Sequence, residues 1–485
     1  MAKLIIRTRF EFTDRGRGEP QKRSVESRRH EFREIYEPYQ ESESQEQSKR
    51  CIACGNPYCQ WKCPVHNYIP DWLQLAAEGR IIEAVELVHQ TNSLPEICGR
   101  ICPHDRLCEV ACTLNTGYGA VTIGAIERHI TDTAFAQGWR PDLTHVIATG
   151  RRVAVIGAGP AGLACADVLA RNGVKAIVYD KHPEIGGLLA FGIPIFKLEH
   201  KVIKTRRNIL EGMGIKFVLG ATIGQDISFE DVLENHDAVF LGLGAYTHKE
   251  GGLPGEDADG VYKALDYLIG NTKSLLKFPP GEHEYTDLSG QRVAVLGGGD
   301  TAMDCVRTAV RQGAKEVLCL YRRDRENMPG SRNEVKNAMD EGVQFQFNVQ
   351  PLEIIESDGV TTGIRLVKTR LGHADATGRR RPMQIEGSEE TRDVDAVIVA
   401  FGFSASPELW FEDYGIETDQ WGLVKASADS DLPFQTTNPK IFAAGDMVRG
   451  ADLVVTAIAD ARKGAEGIVD YLGCREKQRD RRMSN

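Results

Sequence analysis

The sequence predicts an α/β protein in which a helical, cysteine-rich N-terminal domain precedes two nested Rossmann-like dinucleotide-binding domains. Three observations predict it. Eight of the twelve cysteines fall between Cys51 and Cys112. Two strand, glycine-turn, helix fingerprints open about 140 residues apart. A third such pattern, "KIFAAGDMVRGADLVVTAIADARKGA", stands near the C-terminus, far from the unit it would complete.

With 485 residues the chain exceeds the ~250 to 300 at which a single core stops growing, so roughly three domains are expected. An apolar fraction of 41% is ordinary for a soluble globular protein. No apolar run reaches the ~18 residues of a membrane span, and "MAKLIIRTRFEFTDRGRGE" lacks the apolar core and cleavage site of an export signal. The expectation is a cytoplasmic protein with no membrane partner. A formal net charge of -10 argues against nucleic acid. The arginines from Arg23 to Arg33 alternate with glutamates, as in a solvated arm or a partner-facing strap.

The cysteines form two quartets: Cys51, Cys54, Cys59 and Cys63-Pro64, then Cys98, Cys102-Pro103, Cys108 and Cys112. In a reducing compartment clustered thiols hold metal more often than they pair. Structural zinc usually takes two C-x2-C pairs, and only Cys51 and Cys54 have that gap. A C-x2-C start with a C-x3-C-P end is closer to a bacterial ferredoxin, and eight thiolates suit two [4Fe-4S] clusters. In two-cluster ferredoxins the cysteine before proline serves the other cluster. On that pattern Cys51, Cys54 and Cys59 share one cluster with Cys112, and Cys63 joins Cys102, Cys108 and Cys98. Two structural zinc sites remain the alternative. His66 and His104 stand beside the quartets as neighbours of the ligands. Cys165, Cys305, Cys319 and Cys474 are scattered and read as small buried hydrophobes.

After a loop around "GWRPDLTHVIATG", the segment "RRVAVIGAGPAGLACADVLARNG" gives a strand over 153–156 and the turn Gly157, Gly159, Pro160, Ala161, Gly162 opening a helix. Gly157 permits the tight turn, Gly159 lets the backbone approach a pyrophosphate, and Gly162 allows close helix packing. The next strand, "AIVYD", ends in Asp180, 18 residues beyond Gly162. A carboxylate there accepts from both hydroxyls of an unphosphorylated ribose and repels a 2′-phosphate, which suits FAD or NAD.

The second fingerprint, "QRVAVLGGGDTAMDCVRTAVRQG", places Gly297, Gly299, Asp300 and Thr301 at the turn, with Ala302 in the permitted G/A position. Its next strand, "EVLCLYRR", ends in Arg322 and Arg323 rather than an acid. Guanidinium groups match a ribose phosphate by charge and geometry, so this site is NADP-like, with Arg325 as further charge. The alternative is surface arginine on an NAD site.

Two apolar runs, "AVFLGLGA" (238–245) and "DAVIVAFGF" (395–403), follow their fingerprints as though each closed its unit. One ADP-binding unit inserted into another explains the order. The expected boundaries are 1–147 for the arm and iron–sulfur domain, 148–252 for the first part of the FAD domain and 253–403 for the NADPH domain. Residues 404–485 would hold the second part of the FAD domain and the C-terminal tail.

"GAGPAGL", "EIGGLLAFGIPIFKL", "GGGDTAMD" and "AAGD", preceded by the cysteine quartets, "EFREIYEPY" and "NPYCQWKCPVHNYIP", resemble the small (beta) subunits of NADPH-dependent glutamate synthase over essentially the whole chain. The N-terminal part of dihydropyrimidine dehydrogenase is similar in plan. The resemblance implies FAD held by the Gly157 loop, Asp180, the Gly186-Gly187-Leu188 turn and Gly445-Asp446; Glu127, Lys197 and the Asp446 turn are candidates for tuning the potentials. It implies NADPH at the Gly297 loop and Arg322. It also offers Glu127, in "AVTIGAIERHI", as a ligand in place of Cys98. The phosphate motif H-R-R-x-x-x-R is half kept in "YRRDREN", where Asn327 takes the last place.

The expected activity is hydride transfer from NADPH to FAD, then single-electron transfer through the clusters. Positioning carries that reaction, and no side-chain acid or base is assigned. No glutaminase nucleophile or FMN barrel is found, so the expected partner is a large (alpha) subunit carrying glutaminase and FMN domains, which makes glutamate from glutamine and 2-oxoglutarate. Two other readings stay open. One is a related reductase subunit serving ferredoxin or a pyrimidine-reducing partner; the other is a non-enzymatic iron–sulfur or NADPH-sensing scaffold.

Overall fold

The computed structural model describes residues 10–374 and 380–474. The cysteine region is helical, and its helices Ile69–Ala77, Ile81–Thr91, Pro95–Ile101 and Ile123–Ala136 enclose Trp72, Val85, Val88 and Ile126, all fully buried. Helix Pro95–Ile101 lies so close to Ile123–Ala136 that a side chain at Gly99 would meet the Arg128 nitrogen at 2.7 Å. The Cys-Pro dipeptides do architectural work here. A residue before proline is pushed out of the helical region. Cys63 (ψ 122°) and Cys102 (ψ 141°) accordingly stand where Tyr58–Lys62 and Pro95–Ile101 stop, with their thiols at the turn.

Beyond residue 150 two parallel sheets follow. The first runs in the order Ile441–Ala443, Ala238–Leu241, Arg152–Ile156, Lys175–Asp180, Lys216–Leu219. Its residues read as continuous apolar runs because helices cover it, Pro160–Arg171 and Val454–Tyr471 lying side by side. The second sheet repeats the plan as Val261–Lys263, Ala396–Val399, Arg292–Leu296, Glu316–Tyr321, Gln344–Phe347.

The chain leaves the first sheet after Ala238–Leu241 and crosses at Thr247–His248. It returns at Phe403–Ser404, which pairs antiparallel with the outgoing segment. Ser406 Oγ accepts from the Tyr246 and Thr247 N–H groups at 3.1 and 2.9 Å, fixing the crossing. The two runs read as closing their units are inner strands of their sheets. Ala238–Leu241 is flanked by Ile441–Ala443, and Ala396–Val399 by Val261–Lys263. Their apolar continuity reflects burial on both faces, as inner strands require.

Between the last two strands of the second sheet, Val349–Ser357, Val360–Ala374, Arg380–Gln384 and Glu390–Asp393 form a separate antiparallel sheet. The arginine-rich N-terminal segment is tied at Arg28 to this chain's own second sheet domain, while Arg29 and Arg33 are exposed. Arg28 is 3% exposed, 3.7 Å from the carboxylates of Asp340 and Glu341, and donates to Asn337 Oδ1. Glu341, itself buried, also holds Arg307 and Arg311. The acid that draws Arg28 inward lies more than three hundred residues away in sequence, so local charge alternation could not reveal it. Cys165, Cys305, Cys319 and Cys474 are all buried.

Candidate functional site

The cysteines divide into two groups of four that cut across the two quartets. Cys51, Cys54, Cys59 and Cys112 border one small cavity together with Leu73, Leu114 and Val121. Cys63, Cys98, Cys102 and Cys108 form the other, within electrostatic reach of one another and of Glu127. Burial pushes the Cys59 and Cys63 thiols up to about 12. Metal loading would therefore release protons. Burial likewise pushes the Glu127 carboxyl up to about 8, while the Asn67 and Asn92 amides donate to its Oε1 at 3.3 and 3.4 Å. Both Cys98 and Glu127 thus stand at the inner group. Among the described residues no three His, Cys, Asp or Glu side chains are arranged to hold a single metal ion. Four thiols around an apolar hollow fit a cluster, whose inorganic core occupies the space between them. His104 packs over Gly124 beside the inner group, and its Nε2 is buried without a hydrogen bond.

A cavity of about 780 Å³ runs between the two sheets and the cysteine domain. Gly157, Gly159, Pro160, Ala161 and Asp180 line one end. Gly157 has φ +101°, and a side chain there would strike the Gly242 carbonyl; one at Gly162 would strike the Gly157 carbonyl. At Gly159 an added carbon meets nothing within 4 Å, so an open cradle lies before the helix N-terminus, as a pyrophosphate requires. Asp180 is buried and accepts from the Ala158 and His182 N–H groups at 2.6 and 2.7 Å. A carboxylate offers roughly four lone-pair sites, so capacity remains for ribose hydroxyls. Gly187 and Leu188 are on the wall, whereas Gly186 (φ +111°) makes the turn behind them. Asp446 faces the cavity, its carboxyl pushed up to about 7 by burial, and Gly445 supports it against Ala161 and Ala457. These features fit FAD.

At the other end stand Gly299, Asp300 and Thr301. Gly297 lies behind them, where a side chain would strike the Ala400 carbonyl, and Gly299 again opens onto free space. Arg322 and Arg323 lie off the cavity wall, just past strand Glu316–Tyr321. Arg322 is exposed; Arg323 lies 6.0 Å from the Tyr321 ring centre, and its Nε is buried with no hydrogen bond. Their carbonyls are tied to the antiparallel sheet by Thr369 Oγ1 and the Asn348 N–H, at 2.9 and 3.1 Å. Lys197 is on the wall but engaged across the cleft, its Nζ 2.9 Å from Asp304 Oδ1 and 3.7 Å from Glu334.

Sequence reasoning missed Tyr246 and Arg106, both on the wall. The Tyr246 hydroxyl approaches Gly187, and burial raises its pKa. Its place after the Gly242-Leu243-Gly244 turn is a signal that could have found it. Arg106 has none.

Residues 28–139 match the family described as dihydropyrimidine dehydrogenase domain II, 4Fe-4S cluster, and residues 151–461 match the pyridine nucleotide-disulphide oxidoreductases. Over 463 residues the chain is 61% identical to the glutamate synthase [NADPH] small chain of Halomonas elongata, covering 96% of this chain and 98% of that one. The chain belongs to the glutamate synthase small-chain family. The putative oxidoreductase AegA of Escherichia coli is 56% identical over 460 residues, covering 94% of this chain and 70% of AegA. In fold, residues amounting to 68% of this chain superpose on 86% of FprA of Mycobacterium tuberculosis, solved with NADPH, at TM-score 0.57 and 19% identity.

The expected α/β fold, the NADPH-dependent oxidoreductase class, and FAD, NADPH and 4Fe-4S cofactors all hold for this member of the small-chain family. A small chain implies a large one as partner. No described helix is long and apolar enough to cross a membrane.

Proposed function

We propose that the chain is the electron-input subunit of a glutamate synthase. It oxidises NADPH and passes electrons through two [4Fe-4S] clusters to a large subunit, whose glutaminase and FMN domains make glutamate from glutamine and 2-oxoglutarate. When bound, FAD takes the NADPH hydride as an electron pair and the clusters carry electrons singly. The chain's own residues bind and orient. The Gly157 turn, Asp180, Gly187 and Asp446 hold FAD; the Gly299 turn and Arg322 hold NADPH; the two cysteine groups hold the clusters.

One observation carries the direction of flow. Inner-group Cys98 belongs to the same apolar core as Val153 and Phe442 of the first sheet and Leu163 of its covering helix. The outer cavity is instead edged by Tyr58, 51% exposed and packed edge-on against the 54% exposed Trp61. Electrons entering beside the first sheet thus have an exit at the surface. Co-purification with the large subunit, followed by glutamate formation driven by NADPH, tests the reading.

The likeness to AegA favours a second reading, the same reductase unit serving another acceptor. NADPH-dependent dye reduction with no stable large-subunit complex would select it.

A further inference from the structure

The loop that carries inner-group Cys102 and Cys108 also reaches the second nucleotide turn. Asp105 and Arg106 lie between Cys102 and Cys108, and both side chains cross to the neighbouring sheet domain. Arg106 donates from Nη2 to Asp300 Oδ2 at 2.8 Å and from Nη1 to the Pro329 carbonyl. Asp105 accepts from Ser331 Oγ at 3.1 Å and from the Arg332 N–H at 2.9 Å. Asp300 also accepts the Ser331 N–H at 2.8 Å.

Asp300 poses an electrostatic problem. It is the first residue of helix Asp300–Gln312, directly after Gly299. The free N–H groups of that first turn attract a diphosphate, but a carboxylate among them repels it. At the same place after Gly159 the first fingerprint has uncharged Pro160 and needs no compensation. Among the described residues Arg106 makes the direct ion pair with Asp300, while Lys197, held by Asp304 and Glu334, acts on it from farther off; both Arg106 and Asp300 border the large cavity.

We propose that Arg106, a residue of the iron–sulfur domain, is the counter-ion that lets the second nucleotide turn accept the dinucleotide diphosphate. The inference rests on the reading of that turn as the NADPH site, and it divides recognition between domains. Arg106 serves the diphosphate, which NADPH and NADH share, while Arg322 serves the 2′-phosphate, which NADPH alone carries. Arg106 is therefore a positioning residue acting through Asp300.

The test is calorimetric titration of the oxidised holoenzyme with NADP⁺ and with NAD⁺, alongside the KM and kcat of dye reduction. Arg106→Ala is expected to weaken both nucleotides about tenfold, as loss of one neutralising charge near a diphosphate implies, and to raise KM with kcat little changed. Arg106→Lys should recover most of the loss. Adding Asp300→Asn to Arg106→Ala should also restore binding, because the amide keeps the Ser331 hydrogen bond without the repelling charge. Equal losses in Arg106→Ala, Asp300→Asn and the double variant would make the pair a simple domain latch and overturn the inference. Unchanged affinities in Arg106→Ala, with Arg322→Ala still selective for NADP⁺, would overturn it while leaving the NADPH reading intact. If neither arginine variant altered nucleotide binding, the reading of the turn and the inference would fall together.

Discussion

Cys112 borders the same small cavity as Cys51, although 61 positions separate them. The chain passes through the inner cysteine group between the two, so each group is closed by a residue that local sequence assigns to the other. Removing Cys112 should therefore damage the group of Cys51, Cys54 and Cys59. Removing Cys63 should damage that of Cys98, Cys102 and Cys108.

Each of Cys112→Ser and Cys63→Ser is expected to lose about half of the bound iron if each group holds one four-iron cluster. The spin-resonance signals lost from the two variants should be complementary. Iron analysis and spectra on anaerobically prepared protein check this, and loss of the same signal from both would contradict the grouping.

The two glycines of the first turn should fail differently. A methyl group at Gly162 collides with the Gly157 carbonyl, so Gly162→Ala is expected to unfold at lower temperature and to retain no FAD. A methyl group at Gly159 meets no protein atom and instead fills the cradle. Gly159→Ala should keep its melting temperature without flavin while binding FAD about tenfold or more weakly, a loss of ~1.4 kcal/mol. Differential scanning calorimetry of apoprotein, with flavin titration, separates the two.

How much was legible follows from the range of each signal. The glycine turns and Asp180 announce themselves within thirty residues, because one strand, one turn and one helix N-terminus must cooperate locally. The same holds for the Cys-Pro helix ends. The contacts of Arg28 with Glu341, of Lys197 with Asp304 and of Arg106 with Asp300 join residues 107 or more positions apart. No periodicity or motif records such pairs; only the docking of one domain on another creates them. The antiparallel sheet from Val349 to Asp393 escaped notice for a different reason. Its strands are largely half-exposed and rich in charge, and so carry no continuous apolar run.

Asp446 should make the flavin-free protein sensitive to pH. Its carboxyl is pushed up to about 7 by burial, against roughly 4 in an unfolded chain. Between those values the folded chain holds a proton that the unfolded chain has released. Stability therefore falls as pH rises from about 4 and levels off above about 7. Asp446→Asn removes this contribution and should make the fall shallower, the part due to Glu127, whose carboxyl is pushed up to about 8, remaining. Thermal unfolding of apoprotein across that range checks it; an equally steep variant would rule Asp446 out as the source.

Coenzyme choice gives the sharpest claim. Asp180 is a buried carboxylate at the end of strand Lys175–Asp180, whereas Arg322 and Arg323 directly follow strand Glu316–Tyr321 in the second sheet. Arg322 is exposed and its guanidinium can reach a phosphate, whereas the Arg323 Nε is buried. A hydrogen bond to a charged group contributes ~1.5 to 3 kcal/mol. Losing one should weaken NADPH about ten- to a hundred-fold and leave NADH nearly untouched. Arg322→Ala is accordingly expected to raise the KM for NADPH selectively, with a smaller effect in Arg323→Ala, whose side chain is partly held against Tyr321. Reduction of an artificial dye is the right assay, because it keeps the large subunit out of the measurement. A wild-type preference for NADH, or an Arg322→Ala variant weakened equally toward both coenzymes, would mean that these arginines do not read the 2′-phosphate.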